Sequence, residues 1–121
     1  MNTIQKLIEY ALGLESVSLD KPFSKFPNYQ VLRHGPDGKW FGLIMPVSHS
    51  DLGLTDRPDA KVSVIDVKAD PELISILINN QGFFPAYHMN KSNWISILLD
   101  GTVPLSELEK LVKDSYVLTS K

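Results

Sequence analysis

The side chains best suited to chemistry in this 121-residue chain fall into two groups. One is a tight string, Tyr87-His88-Met89-Asn90-Lys91 followed by Trp94, which gathers an imidazole, an amide, an ammonium and two aromatic rings. The other is spread over segments that read as strands: Arg33, Lys39, Trp40, Lys61 and Lys68. Cations that reach phosphates, beside amides and rings that reach or stack on bases, are the parts of a nucleic-acid surface. Each residue also has a plainer use. His88 suits a hydrogen-bonded loop position, and Trp40 and Trp94 suit a core or a patch for a protein partner or second copy.

Other chemistries find little material. His34, His49 and His88 are the only histidines, none spaced i, i+4, and none sits among carboxylates in a ligand pattern, so no metal site is expected. There is no cysteine, which excludes disulfides, thiol catalysis and cysteine-held zinc. Ser48, His49 and Asp51 are too close in sequence to assemble a catalytic triad, whose members come from separate elements. No nucleophile elbow or phosphate-cradling glycine loop is present. The expectation is a non-enzymatic protein without a cofactor.

The elements that must position these residues follow from periodicity. Ile4, Leu7, Ile8, Ala11 and Leu12 form the apolar stripe of a helix from Thr3, capped by Asn2 or Thr3 and stopped at Gly13. Residues 14–28, with Pro22 and Pro27, read as a connecting loop. A hairpin follows, Tyr29–His34 and Lys39–Met45, with Pro36, Asp37 and a left-handed Gly38 as a three-residue loop pairing Gly35 with Lys39. That register places Tyr29, Val31, Arg33, Phe41, Leu43 and Met45 on one face, expected to meet the core. Gln30, Leu32, His34, Trp40, Gly42 and Ile44 fall on the other, mixed and partly open. Residues 46–60 read as a long loop, and Lys61–Lys68 as a third strand. Asp70-Pro71-Glu72 opens a second helix with buried Leu73, Ile74, Leu77 and Ile78, ended by Gly82. Trp94–Leu99 is a fourth strand, and a last helix runs from near Pro104 to about Tyr116, burying Leu105, Leu108, Leu111 and Val112. The order α-βββ-α-β-α predicts one α+β domain over residues 1–121, an antiparallel sheet with helices packed on one face.

Composition agrees with a soluble globular chain: 43% hydrophobic, 21% charged, with no apolar run near the ~20 residues needed to span a bilayer. The first residues carry no secretory pattern, so a cytoplasmic location and no membrane partner are expected. The net charge of −2 excludes a uniformly basic nucleic-acid binder. It is unevenly spread: residues 21–68 hold seven bases against five acids, while the flanking segments are acidic. Any phosphate contact must therefore be one-sided and salt-sensitive.

Tyr87-His88-Met89-Asn90-Lys91 before Trp94, then Asp100-Gly101, Val103-Pro104 and a helix ending Asp114-Ser115-Tyr116, resembles the MmcQ/YjbR family. Lys39-Trp40-Phe41 after a turn and Lys68-Ala69-Asp70-Pro71-Glu72 extend the resemblance over about residues 26–118. Ala86 stands where the family often has Gly, and Ser92-Asn93 where it often has a basic residue and a His. The resemblance implies a CyaY-like, frataxin-like fold and a proposed double-wing DNA-binding role. The acidic first-helix ridge that frataxins use for iron does not carry over, since this helix offers only Glu9 and Glu15. On this reading Arg33, Lys39, Trp40, Lys61, Lys68, His88, Asn90, Lys91 and Trp94 form a weak DNA surface. The alternatives are a protein-interaction or homodimer face built on Trp40 and Trp94, and a small-molecule pocket under the 46–60 loop.

Overall fold

The structure is a computed structural model that describes residues 2–120. Helix α1 (Thr3–Leu12) leads into strands β1 (Val17–Asp20), β2 (Gln30–His34), β3 (Trp40–Ser48) and β4 (Lys61–Lys68). Helix α2 (Pro71–Leu77), strands β5 (Phe83–Pro85) and β6 (Trp94–Leu98), and helix α3 (Leu105–Leu118) complete the chain. The six strands form one antiparallel sheet in the order β1-β2-β3-β4-β6-β5. The expected α+β class and the helices on one face are both seen.

Two strands lie in segments read as irregular. β1 falls within the expected 14–28 loop, and β5 occupies Phe83–Pro85. Both are short edge strands, and β5 ends on a proline, which an edge tolerates because its missing N–H faces away from the ladder. The expected 46–60 loop is also shorter. β3 continues through Ser48, a 3₁₀ turn spans Ser50–Leu52, and Leu52 is buried against the sheet. In α1 the Asn2 carboxamide and Gln5 form a reciprocal capping box. Leu7 and Ala11 are buried, whereas Leu12, expected in the apolar stripe, is exposed.

The hairpin corrects the face assignment. The turn is four residues, Gly35–Gly38, closed by His34 N–H to Lys39 C=O at 3.0 Å. Gly35, not Gly38, takes the left-handed conformation (φ 58°). Gly38 is needed for closeness: a Cβ there would sit 2.0 Å from the His34 carbonyl oxygen. The extra loop residue pairs Arg33 with Trp40, yet Leu32 pairs with Gly42, Val31 with Leu43 and Gln30 with Ile44. A one-residue β-bulge at Phe41–Gly42 absorbs the offset, and both bulged residues point to the same side. A Cβ on Gly42 would come within 3.2 Å of Leu32 and 3.4 Å of Ile65, so glycine lets those side chains close over the bulge.

As a result Leu32, Phe41 and Ile44 join Ile65, Val67, Ile95 and Ile97 in the core beneath the three helices. The residues expected to face that core, Val31, Leu43 and Met45, line the opposite face with Val47, Val64 and Leu52. Trp40 shares that opposite face with them. Both faces are therefore buried, one by helices and one by irregular chain.

Ser115 of α3 repairs the bulged ladder. Its hydroxyl donates to the Phe41 carbonyl at 2.7 Å and accepts the Lys68 N–H at 2.9 Å, replacing a rung between β3 and β4. Leaving the buried Phe41 carbonyl unpaired costs about 1–3 kcal/mol, the part-buried Lys68 N–H being open to water as a substitute. Ser115→Ala is therefore expected to lower unfolding stability by that amount in urea titrations; an unchanged midpoint would show that the bulge needs no such bridge.

Candidate functional site

The face away from the helices is covered by residues 21–29, by the 3₁₀ turn and Leu54, and by residues 86–89. These covers do not meet completely. Between the first and the last lies a cleft of about 330 Å³ with Leu43 among its walls and Phe23, Phe26, Tyr29, Trp40, His88 and Met89 around it. Two successive turns, Phe26 N–H to Phe23 C=O and Tyr29 N–H to Phe26 C=O, fold the 21–29 segment so that its aromatic side chains point the same way. Phe23 stands nearly perpendicular to both Trp40 (5.7 Å, 86°) and Tyr29 (5.9 Å, 77°), and Phe26 stacks on Tyr29 at 4.9 Å. His88, exposed and left-handed at φ 70°, brings its Nε2 to 3.4 Å from the Tyr29 hydroxyl. The rim is thus bridged from one cover to the other.

Beside Leu43 in the sheet lies Asp66, its cross-strand partner, fully buried. Asp66 in turn pairs with Ser96, giving a row Val31–Leu43–Asp66–Ser96–Phe84 in which one carboxyl group interrupts an apolar stripe. The Ser96 hydroxyl donates to Asp66 Oδ1 and accepts the Tyr87 N–H at 3.0 Å. It thereby anchors the 86–91 loop to the sheet. Asp66 Oδ2 has no hydrogen-bond partner. Burial raises the Asp66 pKa to about 7, against the opposing pull of the Ser96 hydrogen bond and the Lys91 charge. Burial also raises the Tyr29 pKa, and the charges of Tyr87, Asp51 and Asp66 raise it further, so the field of Asp66 reaches the cleft wall.

The nine residues singled out in the sequence do not form one surface. Trp40 and His88 meet at the cleft, Trp40 half-buried. Arg33 is committed to Asp20 at 3.0 Å and to the Gly38 carbonyl at 3.1 Å, pinning β1 and the hairpin turn. Lys91 donates its Nζ to the Ala86 carbonyl at 2.8 Å, closing its own loop. Asn90 accepts the Ser92 N–H at 2.7 Å and builds the turn rather than a contact surface. Lys39 is exposed at the hairpin. Lys61 and Lys68 mark opposite ends of β4, about 23 Å apart at the strand rise. Trp94 is half-buried opposite Lys68, two strands away from β3, and does not line the cleft.

The sequence reading missed Phe23, Phe26, Tyr29 and Met89 as site residues, along with Asp66. Phe23 and Phe26 lie in a presumed loop, Tyr29 reads as a strand residue facing the core, and Met89 belongs to the Tyr87–Lys91 string without a role of its own. The Ser48–Asp51 group serves as turn scaffolding: the Asp51 carboxylate accepts the Ser48 N–H at 2.9 Å, which holds its pKa low. Ser96 is buried with both hydrogen-bonding roles engaged. Among the described residues no group of three or more His, Asp or Glu could hold a metal ion, and no helix is long and apolar enough to cross a membrane.

A model of the family described as YjbR matches residues 12–118. The uncharacterized protein YyaQ of Bacillus subtilis (strain 168) is 37% identical over 119 residues, covering 98% of this chain and 99% of that protein. The uncharacterized YbdF of Escherichia coli O157:H7 is 32% identical over 111 residues, 89% of this chain and 76% of its own. A crystal structure of a Pseudomonas syringae protein superposes with a TM-score of 0.88 at 41% identity, covering 98% of this chain and 99% of the other. That of Deinococcus radiodurans DR2400, a DUF419 domain, gives 0.77 at 28% identity, with coverage of 100% and 80%.

The Asp66 pKa makes stability depend on pH. The folded value of about 7 lies above the ordinary 3.8, so the folded chain holds this proton more tightly than the unfolded one. This contribution is fully present below the unfolded pKa, is lost as pH rises toward 7, and levels off above it. The total is on the order of 4 kcal/mol. Urea midpoints at pH 5 and pH 8 are expected to fall more for the wild type than for Asp66→Asn; parallel behaviour of the two would contradict this assignment.

Proposed function

The chain belongs to the YjbR family, and from the geometry of its open sheet face we propose that it is a binding module, without catalytic chemistry, that recognises its ligand in the aromatic cleft beside Leu43. The observation that carries this reading is the convergence of Phe23, Phe26, Tyr29 and Trp40 with His88 and Met89 around one cavity. Its volume of about 330 Å³ falls at the small end of ligand pockets, which are apolar with few polar groups at the edge. The polar edge here is the Tyr29 hydroxyl and the His88 ring. A compact ring or alkyl group suits these walls. Leu52 and Leu54 of the 46–60 segment pack onto the sheet, which favours this cleft over a pocket beneath that segment.

DNA binding is the second reading, favoured by exposed Lys39 immediately before the cleft residue Trp40. A base stacked on Trp40 with its phosphate near Lys39 would use the same cleft. It draws on few cations, since Arg33 and Lys91 are engaged within the protein. A homodimer through Trp40 and Trp94 would need a patch spanning both, and Trp94 stands outside the cleft.

Backbone amide NMR titrations with benzyl alcohol test the first reading. Shifts are expected at residues 23–29, 40–43 and 87–89, with affinity reduced about tenfold in Trp40→Ala; shifts absent or scattered elsewhere would refute it. Single-stranded DNA titrated at 20 and 200 mM salt separates the second: shifts confined to low salt and lost in Lys39→Ala support it, and no shift at 20 mM excludes it.

A further inference from the structure

We propose that the cleft is selective for a small organic cation of the methylated-ammonium class, held over its aromatic rings beside the Asp66 carboxylate. This rests on the binding-module reading and narrows it to a charge type. Three observations carry it. The first is the arrangement of the rings: Phe23 is nearly perpendicular to Trp40 and to Tyr29, so the walls meet as the sides of a box. Rings set at right angles around a small space can turn more than one face toward it, and it is the electron-rich faces, not the edges, that attract a cation. A flat neutral ring needs only one stacking partner and gains less from such a corner.

The second is the acid beside it. Asp66 is fully buried one strand over from Leu43, and its Oδ2 has no hydrogen-bond partner. A buried carboxyl oxygen without a partner is costly in a folded protein; Asp66 does not itself line the cleft but is the cross-strand neighbour of Leu43, which does, so a cation bound in the cleft would favour its charged form. The third is the balance of charge around it. Ser96 from β6 supplies one neutral hydrogen bond, and Lys91 from the 86–91 loop acts on Asp66 only through its charge, its ammonium donating to the Ala86 carbonyl. From the 3₁₀ turn Asp51 adds a second carboxylate whose field, like that of Asp66, reaches Tyr29; Tyr87 lies beside them, and Lys61 acts on Asp51. Among the described residues no lysine or arginine lines the cleft itself. An anion would meet ring faces of the same sign, whereas a cation meets complementary faces, with the carboxylates of Asp66 and Asp51 outside the lining adding to the same sign of field.

Choline and 3,3-dimethylbutan-1-ol differ by carbon in place of the charged nitrogen and have nearly the same shape, so they separate charge from fit. Amide NMR titrations of the whole chain at pH 8 are expected to show choline binding at least fivefold tighter than the alcohol. At pH 5.5, where Asp66 holds its proton, that preference is expected to shrink. In Asp66→Asn the preference is expected to stay the same at both pH values. A His88→Gln variant removes the one histidine of the cleft wall, so its pH comparison assigns the change to Asp66 even if Asp66→Asn folds poorly. Equal binding of the two compounds, or binding of benzyl alcohol alone, overturns the cation proposal and leaves the cleft reading standing. Failure of all three compounds overturns both. A choline preference that does not change with pH in the wild type overturns the part assigned to Asp66.

Discussion

The constraint on which the rest of this structure depends is a sheet with two apolar faces and helices for only one of them. Leu32, Phe41, Ile44, Ile65 and Val67 meet α1, α2 and α3, while Val31, Leu43, Met45, Val47 and Val64 must be kept from water by irregular chain. Apolar strands left bare invite aggregation, so the covering segments are as structural as the helices. They hold on by local devices: tandem turns before Tyr29, the Leu52 plug, and the Ser96 bridge to the Tyr87 amide. Where two covers meet imperfectly, over Leu43, the fold acquires a concave and chemically distinct site.

Which side chains reach that site is decided by one residue of register. The four-residue turn and the Phe41–Gly42 bulge compensate each other, so β2 and β3 are in the expected register below the bulge and out of it above. The bulge thereby separates Trp40, on the cleft side, from Leu32 and Ile44 on the helix side, and Phe41 fills the helical core against His34 and Tyr116. Ser115 makes the exchange tolerable by taking over the hydrogen bonds that the bulge frees. Asp66 is a second local compromise: the Ser96 hydroxyl it receives also fastens the loop that carries His88 and Met89. A group that weakens the fold at high pH thus also shapes the proposed recognition site.

Much of the fold was legible because its signals are local. The α1 stripe, the Pro71 helix start and the β-branched run of β4 each follow from periodicity or capping within a few residues. The family resemblance was legible too, from the Tyr87–Lys91 string, and the match over residues 12–118 bears it out. β1 and β5 were not, since three or four edge residues carry too little pattern. The bulge was hidden because loop length and register trade off without altering the composition of either strand. Basic residues were read as a surface from their type, but Arg33 is half-buried in an ion pair with Asp20 and the exposed Lys91 closes its own loop on the Ala86 carbonyl, which only the folded geometry reveals. Nothing in the sequence marks Asp66 within the β4 run; its importance comes from being paired with Leu43 and Ser96.

The most direct measurement of the account is the titration of the Asp66 side-chain carboxyl carbon by NMR, with and without choline. Binding and protonation at one site are reciprocal, so a cation held there must make the proton easier to lose. The account predicts an Asp66 pKa near 7 in the free protein that falls when choline is present. An ordinary carboxylate value in the free protein, or a value that choline leaves unmoved, would contradict it.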